Sequence, residues 1–293
     1  MMLQTAATAA TAEAYIPGRA RSEIARKAFL YAILLVVAAI FFVPFLWTLV
    51  TSFKTIPDSV NVTLIPHPWT TAAWHEIWTG YSFGTFFKNS IFLAVVVTAC
   101  NIFLGGLGGY AFARLRFPGR ELLFLLVLGT LMVPDQLRLI PVYVMLTNWH
   151  LIGNFSGYIL INLVTATNLF FMRQYFLTIP RDFEEAAKLD GASYFKTFWR
   201  VMLPLALPAM SALVILQFQG TWNDFFWPLI LFGQGNPSHY TIQLGLAELH
   251  FSYSTLWPQI CAGSILAILP ILVIFLVFQR YFISGIVSAG VKG

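Results

Sequence analysis

Phe183-Glu184-Glu185-Ala186-Ala187-Lys188-Leu189-Asp190-Gly191, followed after an aromatic amphipathic run by Leu203-Pro204, is a charged stretch in an otherwise oily chain. Apolar segments long enough to cross a bilayer stand on both sides of it. A spanning helix takes about 20 mostly apolar residues at a rise of about 1.5 Å each. Six windows meet that need, roughly 28–53, 86–113, 121–146, 152–176, 207–232 and 258–282. They leave little chain for a soluble domain. Composition agrees, with 10% charged residues and a mean hydropathy of +0.76, against about a quarter charged in a soluble domain. The expected fold is all-α, a polytopic membrane protein with six transmembrane helices.

A net charge of +5 could point to nucleic acid, but the placement of the charges points to topology. Arg19, Arg21, Arg26 and Lys27 precede the first window, and Arg114, Arg116 and Arg120 follow the second. Arg173, Arg181, Lys188, Lys196 and Arg200 follow the fourth, and Arg280 and Lys292 follow the sixth. The alternate connections are nearly bare, with Lys54 and Lys88 near the first and Arg138 inside the third window. The positive-inside rule then puts both termini and the Glu185 loop in the cytoplasm and gives nucleic acid no part. Residues 1 to about 18 lack a short apolar core behind basic residues, so they read as a tail and not a cleaved signal. Cys100 and Cys261 fall inside apolar windows, which suits packing thiols rather than a disulfide or metal pair.

The connection from about Lys54 to Phe86 holds Pro57, Pro66 and Pro68 with Trp69, Trp74 and Trp78, the make-up of a loop at headgroup level. Gly105, Gly106, Gly108 and Gly109 in the second window let a neighbouring helix approach closely. Pro134 and Pro141 in the third predict a broken helix. The halves show no internal repeat, and six helices enclose a wide pathway poorly, which calls for a second membrane subunit.

A long charged segment between two spans needs a reason, and docking to a soluble partner supplies one. Pro180 suits a first helical turn, and Asp182, Glu184 and Glu185 favour the N-terminal end. Lys188 favours the C-terminal end, and Gly191 takes a left-handed stop. A helix over 181–190 follows. Ser193 caps a second one, with Tyr194, Phe195, Phe198, Trp199 and Met202 on one face, set against bilayer or transmembrane helices. The result is an L-shaped knob. Ala186 and Ala187 keep one side small, while Glu184, Glu185 and Asp190 offer charge to a partner. A plain interfacial helix hairpin is the simpler account of amphipathicity alone.

The spacing tips the balance. Glu185-Ala186-Ala187, three residues, Gly191, nine residues, Val201, one residue and Leu203-Pro204 resembles the "EAA" loop of bacterial ABC importer permeases, with Val201 where isoleucine is common. Three further stretches resemble the carbohydrate permeases of the maltose-transporter class, in their shorter six-span subunit. These are Met132-Val133-Pro134-Asp135-Gln136 through Pro141, Thr221-Trp222-Asn223-Asp224-Phe225-Phe226-Trp227-Pro228, and Gln279-Arg280-Tyr281 through Gly290-Val291-Lys292-Gly293.

The resemblance implies a type I ABC importer permease fold. It implies cytoplasmic tails at 1–27 and 283–293 around a permease domain at 28–282, with the coupling loop at about 180–206. It implies a multi-pass protein of the bacterial inner membrane working with a homologous second permease, two cytoplasmic ATPase subunits and an extracytoplasmic solute-binding protein. Glu184, Glu185, Ala186, Ala187, Asp190, Gly191, Leu203 and Pro204 would form the ATPase-coupling site. The cargo would be a sugar, with glycerol phosphate esters or polyols as the alternative. No G-x-x-x-x-G-K-[ST] phosphate loop occurs in the sequence, so ATP and Mg would be bound by the partner ATPases and no cofactor or metal by this chain.

For the substrate pathway, Gln217, Thr221 and Asp224 recur at helical spacing with Asn223 nearby. Asn162, Thr165 and Asn168 share a side of the fourth window, and Gln136 accompanies a possible Asp135/Arg138 pair in the third. Polar groups deep in a bilayer usually face a cavity or a partner. Two uses remain open for these: interhelical hydrogen bonds, or a sugar-lined cavity with Trp222 or Trp227 offering a ring face. A secondary transporter or channel without an ATPase is the rival from another class, and it leaves the Glu185 to Pro204 pattern without a role. Intramembrane catalysis is a weaker rival, since neither H-E-x-x-H nor G-x-S-x-G occurs. His67, His75, His150, His239 and His250 scatter over the outer connections.

Overall fold

The computed structural model describes residues 17–233, 236–251 and 256–290. Most of the expected N-terminal tail, Val291-Lys292-Gly293 and the side chains of Arg19, Arg21 and Arg280 lie outside the described residues. The chain runs as α1 (Pro17–Thr51), α2 (Ile56–Ser59), α3 (Ala72–Thr79), α4 (Phe83–Arg114), α5 (Arg120–Thr130), α6 (Asp135–Asn148), α7 (Phe155–Ile161) and α8 (Ala166–Thr178). It continues as α9 (Asp182–Leu189), α10 (Tyr194–Thr197), a π turn over Phe198–Met202, α11 (Leu203–Leu205), α12 (Leu207–Trp222), α13 (Phe226–Phe232), α14 (Ile242–Phe251) and α15 (Trp257–Gly290). Among the described residues all regular structure is helical.

Stretches of α1, α4 and α15 are each long and apolar enough to cross a membrane unbroken. Three bent pairs complete a set of up to six: α5 with α6 at 100°, α7 with α8 at 44°, and the α10–α11 segment with α12 at 76°. The expected break in the third window falls at Pro134, whose extended backbone (φ −59°, ψ 142°) precedes α6, while Pro141 is carried inside α6. Proline disfavours helix in the residue before it, so the chain cannot run helically through Val133 into α6, and α5 has ended at Thr130. The window at 207–232, expected as one helix, is two. Asn223-Asp224-Phe225 separates α12 from α13. At the ends, α1 starts at Pro17 and α15 reaches Gly290, both past their windows.

Helix α4 is the central post. It packs along α8 and α12, and α12 packs along α15. The glycines explain how near α4 comes to α8: a Cβ at Gly109 would stand 2.6 Å from Met172 Cβ and 2.8 Å from the Arg173 nitrogen. Two apolar clusters stack along this post. One gathers Phe86, Leu93, Val97, Phe218, Trp222 and Phe232, the other Ile102, Tyr110, Met172, Phe176, Phe198 and Leu213. Between them in sequence on α4 and α12 lie Asn101 and Gln217, a polar layer in an apolar stack.

Helix α1 packs along α15, yet none of its apolar window is buried within the chain. Leu35 is 70% and Phe41 72% exposed, a surface that needs lipid or another subunit. The Trp-rich connection after α1 is folded rather than loose. Lys54, buried, donates to the Asn61 carbonyl at 3.0 Å and lies 4.9 Å from the Trp47 ring centroid.

Overpacking a tight contact costs about 1–3 kcal/mol. Gly109→Leu is therefore expected to lower the thermal unfolding midpoint in detergent, whereas Gly129→Leu, where a Cβ meets nothing within 4 Å, leaves it unchanged. Equal midpoints for the two variants would contradict the α4–α8 contact.

Candidate functional site

Where α5 breaks into α6 and α7 into α8, the two gaps face each other across a cavity of about 410 Å³. Its wall includes Thr130, Asp135, Arg138, Asn162, Thr165, Thr167 and, from α13, Trp227. Discontinuous helices expose backbone polar groups that a membrane tolerates only when they are buried in protein or line a water-filled space. Both uses occur here. The Arg138 guanidinium pairs with the Asp135 carboxylate one turn away, so the two charged residues on the wall neutralise each other.

The back of the α7–α8 gap is closed by a residue that the sequence reading did not single out. Asn101, fully buried on α4, donates through Nδ2 to the carbonyls of Val97 and Asn162. Its Oδ1 accepts from the Thr165 backbone N–H at 2.8 Å and from Asn168 Nδ2 at 3.2 Å. One carboxamide thus satisfies both lips of the broken helix. Asn168 Nδ2 also donates to Gln217 Oε1 at 2.9 Å, and Gln217 Nε2 donates to Thr221 Oγ1 at 3.2 Å. Asn168, Gln217 and Thr221 therefore form an interhelical relay, and of the amides proposed for a pathway Asn162 is the one on the cavity wall. A lone Asn beside a glycine run was the available signal for Asn101, and it carried no period of its own.

The remaining candidates are placed differently from expectation. Trp222 is buried, with its indole N–H donating to the Ala267 carbonyl at 2.9 Å and its ring stacked on Phe218. It presents no face to a ligand; Trp227 does reach the cavity wall. Asp224 accepts from the Tyr158 hydroxyl at 2.8 Å and from the Trp227 backbone N–H at 3.3 Å, so it holds the start of α13. Asn223 accepts from Gln243 Nε2 at 3.2 Å. Gln136 is exposed beside the cavity without lining it.

At the other pole of α4 stands the charged knob. α9 ends where Gly191 takes a φ of +73°, the left-handed region that glycine occupies without strain. Ser193 caps α10, its hydroxyl accepting from the Lys196 N–H. Instead of one aromatic face, the π turn divides the aromatics: Phe198 and Met202 are buried, while Tyr194, Phe195 and Trp199 are exposed. Glu184, expected to face a partner, turns inward, with its carboxylate 3.7 Å from Arg114 Nε. Arg114 Nη2 also donates to the carbonyls of Phe176 at 2.6 Å and of Ile179 at the end of α8. Ala187 packs inward beside Glu184, leaving Glu185, Ala186, Leu189, Asp190 and Gly191 outward, with Leu203 half-buried and Pro204 exposed. Among the described residues no group of three or more His, Cys, Asp or Glu side chains is placed to hold a metal ion.

Broken helices around a polar cavity, and a docked helical knob at one end, define the class: a helical membrane transport subunit. The chain belongs to the family of binding-protein-dependent transport system inner membrane components, whose model matches residues 101–288. It is 40% identical over 71% of its length to the arabinooligosaccharides transport system permease protein AraQ of Bacillus subtilis, covering 73% of that protein. It is 32% identical over 89% of its length to the diacetylchitobiose uptake system permease protein NgcG of Streptomyces coelicolor, covering 87% of it. The sn-glycerol-3-phosphate transport system permease protein UgpE of Yersinia enterocolitica is 32% identical over 78% of this chain and 84% of its own. In structure the chain is similar to a subunit of a bacterial ABC transporter involved in the import of the acidic polysaccharide alginate, with a TM-score of 0.75 and 25% identity over 89% of this chain and 98% of that one.

Asn101→Leu removes the partners of Asn162 and Thr165 together, and each stranded buried group costs about 1–3 kcal/mol. The variant is expected to show a clearly lowered unfolding midpoint in detergent, and Gln217→Leu, further along the relay, a smaller drop. A midpoint for Asn101→Leu equal to wild type would remove the relay from its structural role.

Proposed function

We propose that this chain is the permease subunit of an ATP-driven importer, embedded in a bacterial inner membrane with both termini cytoplasmic. It would form the pathway together with a second, homologous permease and receive cargo from an extracytoplasmic binding protein. Two cytoplasmic ATPases, which bind ATP and Mg, would drive it through the α9–α10 knob. The observation that carries this reading is the division of labour within the knob. Glu184 ties it to Arg114 at the end of α4 and Ala187 is buried beside it, while Glu185, Ala186, Asp190 and Gly191 face outward, free to seat in a partner.

The cavity where the broken helices meet is the proposed pathway, with Asn162, Thr165 and Trp227 as its contacts. Hydroxyl-bonding amide, hydroxyl and indole groups suit a polyol. Because Asp135 cancels Arg138 on the wall, the reading favours an uncharged sugar or oligosaccharide, in line with the relatives named for arabinooligosaccharides and diacetylchitobiose. The glycerol phosphate alternative rests on the UgpE relatives and requires a free cation on the wall. A ligand screen of the cognate binding protein by thermal shift separates the two: stabilisation by a neutral oligosaccharide is expected, and stabilisation by glycerol phosphate alone would decide for the alternative.

In the purified complex, Glu185→Lys is expected to keep the unfolding midpoint, since exposed substitutions usually shift stability by no more than about 0.5 kcal/mol. It should abolish the stimulation of ATP hydrolysis by binding protein and cargo. Gly191→Pro, which cannot adopt the positive φ and loses the N–H donated to Lys188, should uncouple similarly. Glu184→Ala strands Arg114 and should lower the midpoint as well, breaking a buried pair at a cost of about 3–5 kcal/mol. Wild-type stimulation in Glu185→Lys and Gly191→Pro would refute the coupling role.

A further inference from the structure

Beside the knob lies a hollow that the transport reading does not use. It is an open hollow of about 580 Å³ between the turn after α4, the start of α5 and the start of α9, and three arginines, Arg116, Arg120 and Arg181, line it with a single carboxylate, Glu121. That carboxylate is already shared. Its Oε1 accepts from Arg120 at 2.7 Å and its Oε2 from Arg173 at 3.3 Å, while Arg120 also reaches the Leu115 carbonyl at 3.1 Å. Arg116 and Arg181 are exposed, and among the described residues neither side chain has an ion pair. Two guanidiniums thus stand at the mouth of a hollow with no counterion to neutralise them.

What leads away from the hollow identifies the ligand. Leu122, Leu125 and Leu126 are each more than 60% exposed, and their spacing places them on one face of α5 running from the arginines toward the helix's far end. A fork of guanidiniums matches phosphate oxygens, and an apolar stripe continuing from it matches acyl chains. A free phosphate has no use for the stripe, and a soluble acidic protein has none either. We propose that this hollow is a binding site for the phosphate headgroup of an anionic phospholipid, with its tails along α5. Because Arg181 leads directly into α9, an occupied site ties the base of the knob to the membrane surface. The inference needs only that α5 lies in a bilayer, so it stands apart from the ATP-coupled reading, and Glu185→Lys should leave lipid binding unchanged.

The test uses the transporter complex purified through a tag on this chain, delipidated, and titrated with phosphatidylglycerol or with phosphatidylcholine of the same acyl chains, with bound lipid counted by native mass spectrometry. Phosphatidylglycerol is expected to bind preferentially. At roughly fivefold per arginine, Arg116→Gln with Arg181→Gln should weaken it about 25-fold. Arg116→Lys with Arg181→Lys, which keeps the charge and loses the fork, should bind between wild type and the Gln pair, which separates loss of charge from loss of fold, and Arg26→Gln with Lys27→Gln on α1 should change nothing. Equal binding of the two lipids, or equal loss in the α1 variant, would overturn the site. Displacement of the lipid by an equal concentration of glycerol phosphate would reassign it to a soluble phosphate. Capture of an ATPase subunit by a photocrosslinker at position 181 would reassign it to a protein interface.

Discussion

Helices that break inside a bilayer strand their backbone donors and acceptors, and in this chain the Asn101 carboxamide resolves the break that matters most. It holds the Asn162 carbonyl and the Thr165 N–H at once, doing for the α7–α8 gap what a missing helical turn would have done. A hydrogen bond between transmembrane helices averages only about 0.6 kcal/mol. An unsatisfied backbone group in the same place costs several, and that asymmetry is what keeps α4, α7 and α8 together here. With the inner side of the gap closed, its outer side is free to line the polar cavity opposite Asp135 and Arg138.

The same helix carries the second anchor. Arg114 at the end of α4 binds the final carbonyls of α8 and faces Glu184 of α9, about 20 Å along the helix from Asn101 at 1.5 Å per residue. Between the two anchors α4 and α8 pack with glycine on one side and Met172 on the other. A contiguous, close-packed route therefore joins the knob to the cavity wall.

The knob was legible because its chemistry is local. Capping by Ser193, the left-handed Gly191 and the acidic start of α9 are decided within a few residues, and the structure reproduces each. The break at Pro134 is local for the same reason. The inward turn of Glu184 was not legible, since its neighbour Arg114 lies far away in sequence and meets it only after α4 and α8 have packed. Nor was the π turn at Phe198–Met202, which redistributes the aromatics between core and surface. At the cavity, the polar residues of the spans were visible as a set, but not which of two uses each one serves. Asn168, Gln217 and Thr221 went to the relay, Trp222 to the core and Asp224 to the start of α13, while Asn162 and Trp227 reached the wall.

By itself the sequence determined an all-helical membrane chain, its apolar windows, and the charged knob with its glycine elbow, because hydropathy, capping and φ preference act over a turn or two of helix. The tertiary structure alone decided which polar side chains are spent on holding broken helices together and which remain free, because a buried amide or carboxylate takes whichever partner the packing of distant helices brings within hydrogen-bond reach.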